Sequence, residues 1–399
     1  MRIRIVTIVC FFLVSLTLTA QKKELSQARA YIKSGDYAKA EKLMTGLLES
    51  NAANRENKDI YYIWYQSVRK QYEAANEKLY LKQAYDTASF FGLTRQMYAI
   101  TESLDSLDVR PDEKGRIRPK YRRDHAAAMN LLRPNLYNGG IYHLRKTAYA
   151  EAFLFFDAYI DAARQPLFTG FNYEQSDNRM PAAAYWATYC GHKLQDTDMT
   201  MKYAQLALTD TAKAEYTLQY ICEAYHRSHS DSLYLATLYQ GFSRFPEHPY
   251  FFPRLEDFLT AHSQNEAALD VANRALEINP SSQLFLLAKS LSLLNLDRYD
   301  ECVEVSEKLI AVNDTLPEPY YNVATAYLNQ ALELEKQNDP RKNRPRLTQL
   351  YDAARPYMEA YRKLTPDDDA RWAPALYRIY FNLNMGKQFE EIDRLMKKK

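Results

Sequence analysis

The chain has 399 residues, of which 47% are hydrophobic and 26% charged, so it is not a disordered, collagen-like or membrane-bundle protein. It contains only 10 glycines and 16 prolines. Because phosphate-cradling loops and nucleotide-binding turns need glycine, this composition disfavours P-loop and Rossmann enzymes and β-sandwiches. The 52 basic and 50 acidic residues nearly cancel, which disfavours a nucleic-acid ligand.

The first twenty residues have the pattern of an export signal. Arg2 and Arg4 precede an apolar run over residues 5–18, and small residues before Gln21 offer a cleavage site. That run is shorter than the ~20 residues needed to cross a bilayer. We therefore expect a signal peptide over residues 1–20 of a bacterial protein. The mature chain is expected in the periplasm or secreted, not spanning the membrane after cleavage.

In the second half of the chain, residues of similar size and polarity recur every 34 positions. Phe252, Leu286 and Tyr320 form one such series, and Ala268 and Cys302 form another. Each unit contains two apolar-periodic stretches of helical spacing, separated by a turn signal such as that at residues 297–299. The sequence therefore predicts repeated helical hairpins.

Small residues occupy the positions where two helices of a hairpin must approach closely, as at Ala40, Ala275 and Ala324. With the turn at residues 35–37 and the closing Pro280, this pattern resembles the tetratricopeptide repeat (TPR) family. The resemblance implies an all-α fold, an α-solenoid of TPR-like helix-turn-helix repeats in a right-handed superhelix. It also implies a protein that acts by binding other proteins.

The strength of the repeat pattern varies along the chain. It is clearest over residues 248–366, apart from an inserted stretch near 334–347, and it is degraded before residue 248. The expected organisation is a signal peptide (1–20), N-terminal helical pairs (21–107), a basic linker (108–124), degenerate repeats (125–247), well-formed repeats (248–366) and capping helices (367–399).

In the TPR family, outward-facing positions of the first helix of each repeat line the binding groove. Carried over to this chain, the resemblance implies a groove rich in tyrosine and amide side chains. Packing between repeats is an alternative role for its tyrosines. The implied groove positions are Tyr225, His229, Tyr250, Asp257, Asn295, Tyr321, Thr325 and Asn329, with Ile221, Leu287 and Leu291 beside them.

A basic stretch interrupts the helical periodicity between residues 108 and 124. Its cations are suited to docking an acidic partner or anionic surface, and the alternative is a solvated linker. The cations in question are Arg116, Arg118, Lys120, Arg122 and Arg123.

Motifs for catalysis are missing from the sequence, which has no nucleophile elbow, zinc-protease helix, Walker loop or Cys-x-x-Cys pair. His226 and His229, with His248, are a weak metal-ligand pattern, and the acidic run at 367–369 is better explained by a helix N-terminus. We expect no cofactor and no enzymatic activity.

The predicted function is a non-catalytic scaffold of the bacterial cell envelope that binds a peptide or helix of a partner protein. The alternatives are an accessory subunit of an outer-membrane uptake or secretion complex and, more remotely, an enzyme on a helical-repeat scaffold.

Overall fold

The computed structural model describes residues 21–337 and 340–397, and the predicted signal peptide lies outside them. Within those ranges every regular element is helical and none is a β-strand. No described helix combines the length and the apolar character that crossing a bilayer requires. The predicted all-α, TPR-like fold of successive helical hairpins is confirmed.

The chain divides into two compact units, one ending at Asp231 and the other beginning at Ser232. Short 3₁₀ turns lie at Ala52–Glu56 and Pro166–Phe171 of the first unit. The helices of the first unit are α1 (21–34), α2 (Tyr37–Ser50), α3 (Lys58–Tyr80), α4 (Thr87–Asp108), α5 (Arg122–Arg145), α6 (Tyr149–Asp161), α7 (Tyr173–Ser176), α8 (Met180–Lys193), α9 (Thr197–Met201), α10 (Ala204–Ala207) and α11 (Ala214–Arg227).

The second unit is the more regular of the two, and from α13 to α20 each helix packs on the next one in the chain. The first of them begins at the division between the units. The helices are α12 (Asp231–Arg244), α13 (Phe251–Ala261), α14 (Asn265–Ile278), α15 (Gln283–Asn295), α16 (Tyr299–Val312), α17 (Pro317–Lys336), α18 (Pro340–Leu364), α19 (Asp369–Asn382) and α20 (Gly386–Lys397).

The 34-residue period of the sequence reappears in the backbone of the second unit. Helices α14 and α16 begin 34 residues apart and also end 34 residues apart. The turns before them contain Ser263 (φ 57°) and Asp297 (φ 59°), both in the left-handed region. In each turn the next residue's N–H donates to a carbonyl five residues earlier, at 2.8 and 3.0 Å. Two consecutive hairpins therefore share the same turn geometry.

In the described residues on either side of 338–339, the inserted stretch near 334–347 lengthens two helices. Helix α17 continues to Lys336, and α18 runs from Pro340 with Pro345 inside it. The Asn343 amide donates to the carbonyl of Leu334 at 3.2 Å, and this carbonyl also accepts the backbone N–H of Gln337 at the end of α17. The Tyr351 hydroxyl donates to Glu335 at 2.6 Å and holds the two long helices together.

Small residues allow the helices of a hairpin to approach closely. A Cβ added at Gly139 or Gly140 of α5 would lie within 2.7 Å of the ring of Phe155 or Phe156 of α6. A Cβ at Gly191 of α8 would lie 2.3 Å from the backbone nitrogen of Thr200 in α9. These contacts are closer than any methyl group permits, so glycine sets the separation of these helices.

A buried arginine organises the irregular segment between α6 and α8. The Arg133 guanidinium lies between the rings of Tyr159 and Tyr173, 3.9 and 3.8 Å from their centroids, and pairs with Asp177. Burial opposes the charge of Asp177, but hydrogen bonds from Tyr159, from the backbone of Arg179 and from Arg133 lower the pKa of its carboxyl group. The segment thus follows a fixed path without regular hairpin geometry.

We expect Gly191→Ala to lower the free energy of unfolding by about 1–3 kcal/mol, because its methyl group meets backbone that cannot rotate away. Gly46→Ala, in the interior of α2 with open space around it, is the matched control and should raise the value by about 0.5–1 kcal/mol. Urea denaturation followed by circular dichroism measures both. Shifts of the same sign in the two variants would contradict the close-contact role of Gly191.

Candidate protein-binding surfaces

The solvent side of α15 carries an unusual row of leucines. Leu284, Leu287 and Leu291 follow one another at i, i+3 and i+7, which places them on one face of the helix. Leu284 is 48% and Leu291 41% exposed, whereas Leu286 and Leu293 face the core. We call the first three residues the leucine stripe. Leu284 and Leu291 are the exposed ends of the stripe, whereas Leu287 between them is half-buried and packs against the core of the unit.

Helix α17, the first helix of the next hairpin, extends this surface with polar and aromatic side chains. Thirty-four residues after Leu287, Leu291 and Asn295 stand Tyr321, Thr325 and Asn329, all half-buried, while Asn295 itself is exposed. The two helices are direct neighbours, since the Asn322 amide donates to the Ser290 hydroxyl at 2.8 Å in the interior. The leucine stripe therefore has a row of hydroxyl and amide side chains beside it.

Tyr321 takes part in packing as well as in this surface. Its ring lies 5.1 Å from that of Tyr361 in α18, and the Arg371 guanidinium of α19 covers it at 4.2 Å. The Tyr361 hydroxyl donates to Asp368 at 2.5 Å, which anchors the turn between α18 and α19. The alternative role proposed for the tyrosines, packing between repeats, thus applies to part of this side chain.

Two of the predicted groove positions are corrected by the structure. His229 is not on a helix face, because α11 ends at Arg227 and His229 occupies the following turn at φ 53°. Tyr250 is 6% exposed and lies at the start of α13, with the guanidinium of Arg254 4.1 Å from its ring centroid. Neither side chain is presented on the outer face of a first helix.

The remaining predicted positions fall in both units. Tyr225 is half-buried in α11 of the first unit, whereas Asp257 is exposed on α13 of the second.

The repeat pattern did not predict Leu284, the most exposed member of the leucine stripe. Its signal was present, since α15 reads as apolar on every side and a helix of that kind cannot bury all of its leucines in a two-helix layer.

The basic stretch at residues 108–124 is held against the end of α4. The buried carboxylate of Asp108 accepts the backbone N–H groups of Lys120 and Tyr121, at 2.5 and 2.8 Å. Arg122 forms a two-pronged pair with Asp105, at 2.7 and 2.6 Å. The stretch is thus tethered at its end instead of hanging free as a linker.

Only some of the predicted basic docking residues remain available to a partner. Arg116 is paired with Asp112 at 2.8 Å, and the Lys120 ammonium lies 4.9 Å from the ring centroid of Tyr121. Arg118 and Arg123 are exposed. A docking role therefore rests on these last two side chains.

Two buried carboxyl groups stand apart from the surface. Burial, with a smaller contribution from the charge of Asp257, raises the pKa of Glu256 in α13 to about 8. Its Oε1 atom is buried and accepts no hydrogen bond. Burial and the charge of Asp161 raise the pKa of Glu102 in α4 to about 7. Glu102 belongs to the first unit and Glu256 to the second.

Metal-binding geometry is not found in the described residues, where no three His, Cys, Asp or Glu side chains gather as a ligand set. Cys190, Cys222 and Cys302 are buried and none forms a disulfide in that part of the chain. Burial raises the pKa of the Cys190 thiol to about 12, so this thiol is not an activated nucleophile.

Comparison with known proteins finds similar folds but no close relative. No family model and no curated protein matches the chain. A solved structure of the C-terminal part of a TPR repeat-containing protein from Cytophaga hutchinsonii is 14% identical, with a TM-score of 0.43 over 64% of this chain and 92% of that one. YrrB, described as a TPR protein with an unusual peptide-binding site, is 14% identical, with a TM-score of 0.35 over 50% and 93%. MamA is 14% identical, with a TM-score of 0.36 over 48% and 94%.

We expect the stability of the chain to fall as pH rises from about 4.5 to 8, to the extent that Glu256 contributes. The raised pKa means that the folded state holds a proton which the unfolded state releases in this range. Glu256→Gln should therefore raise the free energy of unfolding by about 1–3 kcal/mol above pH 8 and change it little near pH 4.5.

Thermal unfolding of the two proteins across this pH range measures the difference. Asp257 and Tyr239 of α12 both interact electrostatically with Glu256, and the raised pKa of Tyr239 lies above this range. Glu277→Gln, at an exposed position of α14, is the control and should leave the profile unchanged. An equal stabilisation by Glu256→Gln at both ends of the range would rule out titration as its cause.

Proposed function

We propose that the protein is a non-catalytic scaffold of the bacterial cell envelope that binds a peptide or helical segment of a partner protein. The observation that carries the proposal is the leucine stripe on α15. Exposed large apolar side chains are common singly, but here two exposed leucines flank the half-buried Leu287 on one helix face, and such a group favours a contact surface.

The surroundings of the leucine stripe suit such a partner. Apolar anchors at i, i+3 and i+7 match the spacing with which an amphipathic helix docks on an apolar surface. Asn295 and Asn329 lie at the edge, where their amides can donate to and accept from a partner backbone. This arrangement, an apolar centre with a polar rim, is that of protein–protein interfaces.

The rigidity of the scaffold supports binding over catalysis. The leucine stripe is held by a helix whose opposite face, including Leu286 and Leu293, is buried in the core. A pre-positioned surface loses little conformational entropy when a partner binds. The export pattern of residues 1–20 supports a partner in the cell envelope.

We expect Leu291→Asp to weaken capture of the partner from envelope extract by about tenfold or more, because a charge would replace a central apolar anchor. Val312→Asp is the matched control, since Val312 is 53% exposed at the end of α16 and lies outside the leucine stripe. Quantitative affinity purification of both variants, each checked for an unchanged melting temperature, measures the difference. Equal capture by the two variants would contradict binding at the leucine stripe.

Export is tested separately from partner binding. When the full chain is expressed in a bacterium, N-terminal sequencing of the periplasmic or secreted protein should begin near Gln21. A double variant, Leu13→Arg with Val14→Arg, interrupts the apolar run and should keep the chain uncleaved in the cytoplasm. Recovery of the unchanged chain uncleaved in the cytoplasm would contradict the envelope assignment.

A further inference from the structure

A cleft of about 530 Å³ lies where α18, α19 and α20 meet, on different helices from the leucine stripe. Its volume is within the ~300–1,000 Å³ that is usual for ligand sites. We call it the terminal cleft. Its walls are the first turns of α18, the end of α19 and the start of α20, and its lining residues include Arg344, Thr348, Tyr351, Tyr380, Phe381 and Phe389.

Aromatic rings form the apolar part of the terminal cleft. The Phe389 ring lies between those of Tyr377 and Phe381, with centroids 4.6 and 5.8 Å away, so it is fixed from both sides. Phe381 is nevertheless 64% exposed. The hydroxyl groups of Tyr351 and Tyr380 donate to Glu335 and Glu359, at 2.6 and 3.0 Å. These two tyrosines therefore offer ring surface, not hydrogen bonds, to an occupant.

The polar part of the terminal cleft is cationic and neutral. Arg344 lines it together with Thr348, Asn382 and Asn384, and the lining residues include no carboxylate. Arg344 and Arg346 lie within the first two turns of α18, whose first turn contains no acidic residue. Arg344 is exposed, so its guanidinium is accessible to an anionic group in the cleft.

We propose that the terminal cleft binds an acidic peptide segment that carries an aromatic side chain. The side chain packs against Phe381 and Phe389, and a neighbouring carboxylate accepts hydrogen bonds from the Arg344 guanidinium. A peptide fits better than a compact solute, because a chain that crosses the open mouth also covers the exposed Phe381 ring. This site is separate from the leucine stripe and goes beyond the scaffold function proposed above.

The test uses the full chain and a fluorescently labelled pentapeptide, Glu-Asp-Phe-Glu-Asp, with both ends blocked. One control peptide has alanine at the central position, and another has lysines in place of the four acidic residues. Fluorescence polarisation gives the dissociation constants, and binding should weaken as salt is added. We expect the acidic aromatic peptide to bind at least about tenfold more tightly than either control peptide.

Two matched substitutions locate the site. Arg344→Glu should weaken binding of the acidic aromatic peptide about tenfold or more, whereas Arg346→Glu, on the same helix but outside the lining, should leave most of the affinity. Phe381→Ala should also weaken binding. Because the Phe381 ring is exposed, its removal should change the stability of the fold little. Leu291→Asp, in the leucine stripe, should bind the peptide as the unchanged chain does.

Three results would overturn the proposal. The first is equal affinity for the acidic and the lysine peptides, and the second is an equal loss in the Arg344→Glu and Arg346→Glu variants, which would indicate general charge attraction. The third is unchanged affinity in the Phe381→Ala variant. The proposed scaffold function does not depend on any of these, because it is tested by partner capture at the leucine stripe.

Discussion

The close approach of neighbouring helices is the constraint on which the rest of this structure depends. Two helices can share a thin apolar layer only where one of them lacks a bulky side chain at the crossing point. Glycine meets this requirement at Gly139, Gly140 and Gly191, and Gly241 does so in the second unit, where an added Cβ would lie 2.2 Å from the ring of Phe251. At Ala40, Ala275 and Ala324 a single buried methyl group is enough. Since each hairpin is only two helices thick, this spacing decides which side chains are buried and which face solvent.

Where the hairpin geometry is interrupted, polar interactions replace it. Arg133, enclosed by Tyr159 and Tyr173 and paired with Asp177, holds the segment between α6 and α8. Asp108 plays a similar part for the stretch before α5, because it accepts two backbone N–H groups that would otherwise lack partners. A buried charge of this kind is stable only when its hydrogen-bonding capacity is largely used.

The thinness of the hairpin layer also explains why the second unit presents apolar surface. Helix α15 carries leucines around most of its circumference, so packing on α14, α16 and α17 leaves Leu284 and Leu291 outside. On α19, Phe381 remains 64% exposed although its ring lies 5.8 Å from that of Phe389 in α20. One surface is suited to a helix or peptide with apolar anchors, and the other to an acidic aromatic segment. A scaffold with two separate contact sites can hold two segments of one partner, which strengthens binding through effective concentration.

The sequence by itself determined the helical hairpins of the second unit, because the 34-residue period and the turn signals are local patterns with local causes. It predicted the turn at residues 297–299 and the close packing at Ala275 and Ala324, which are buried. Only the tertiary structure decided the burial of Tyr250, the placement of His229 in a turn, and the growth of the inserted stretch into the ends of α17 and α18. It alone revealed the terminal cleft as well. The reason is that the exposure of a side chain depends on elements that are distant in sequence. A repeat pattern predicts only the position of a residue on its own helix.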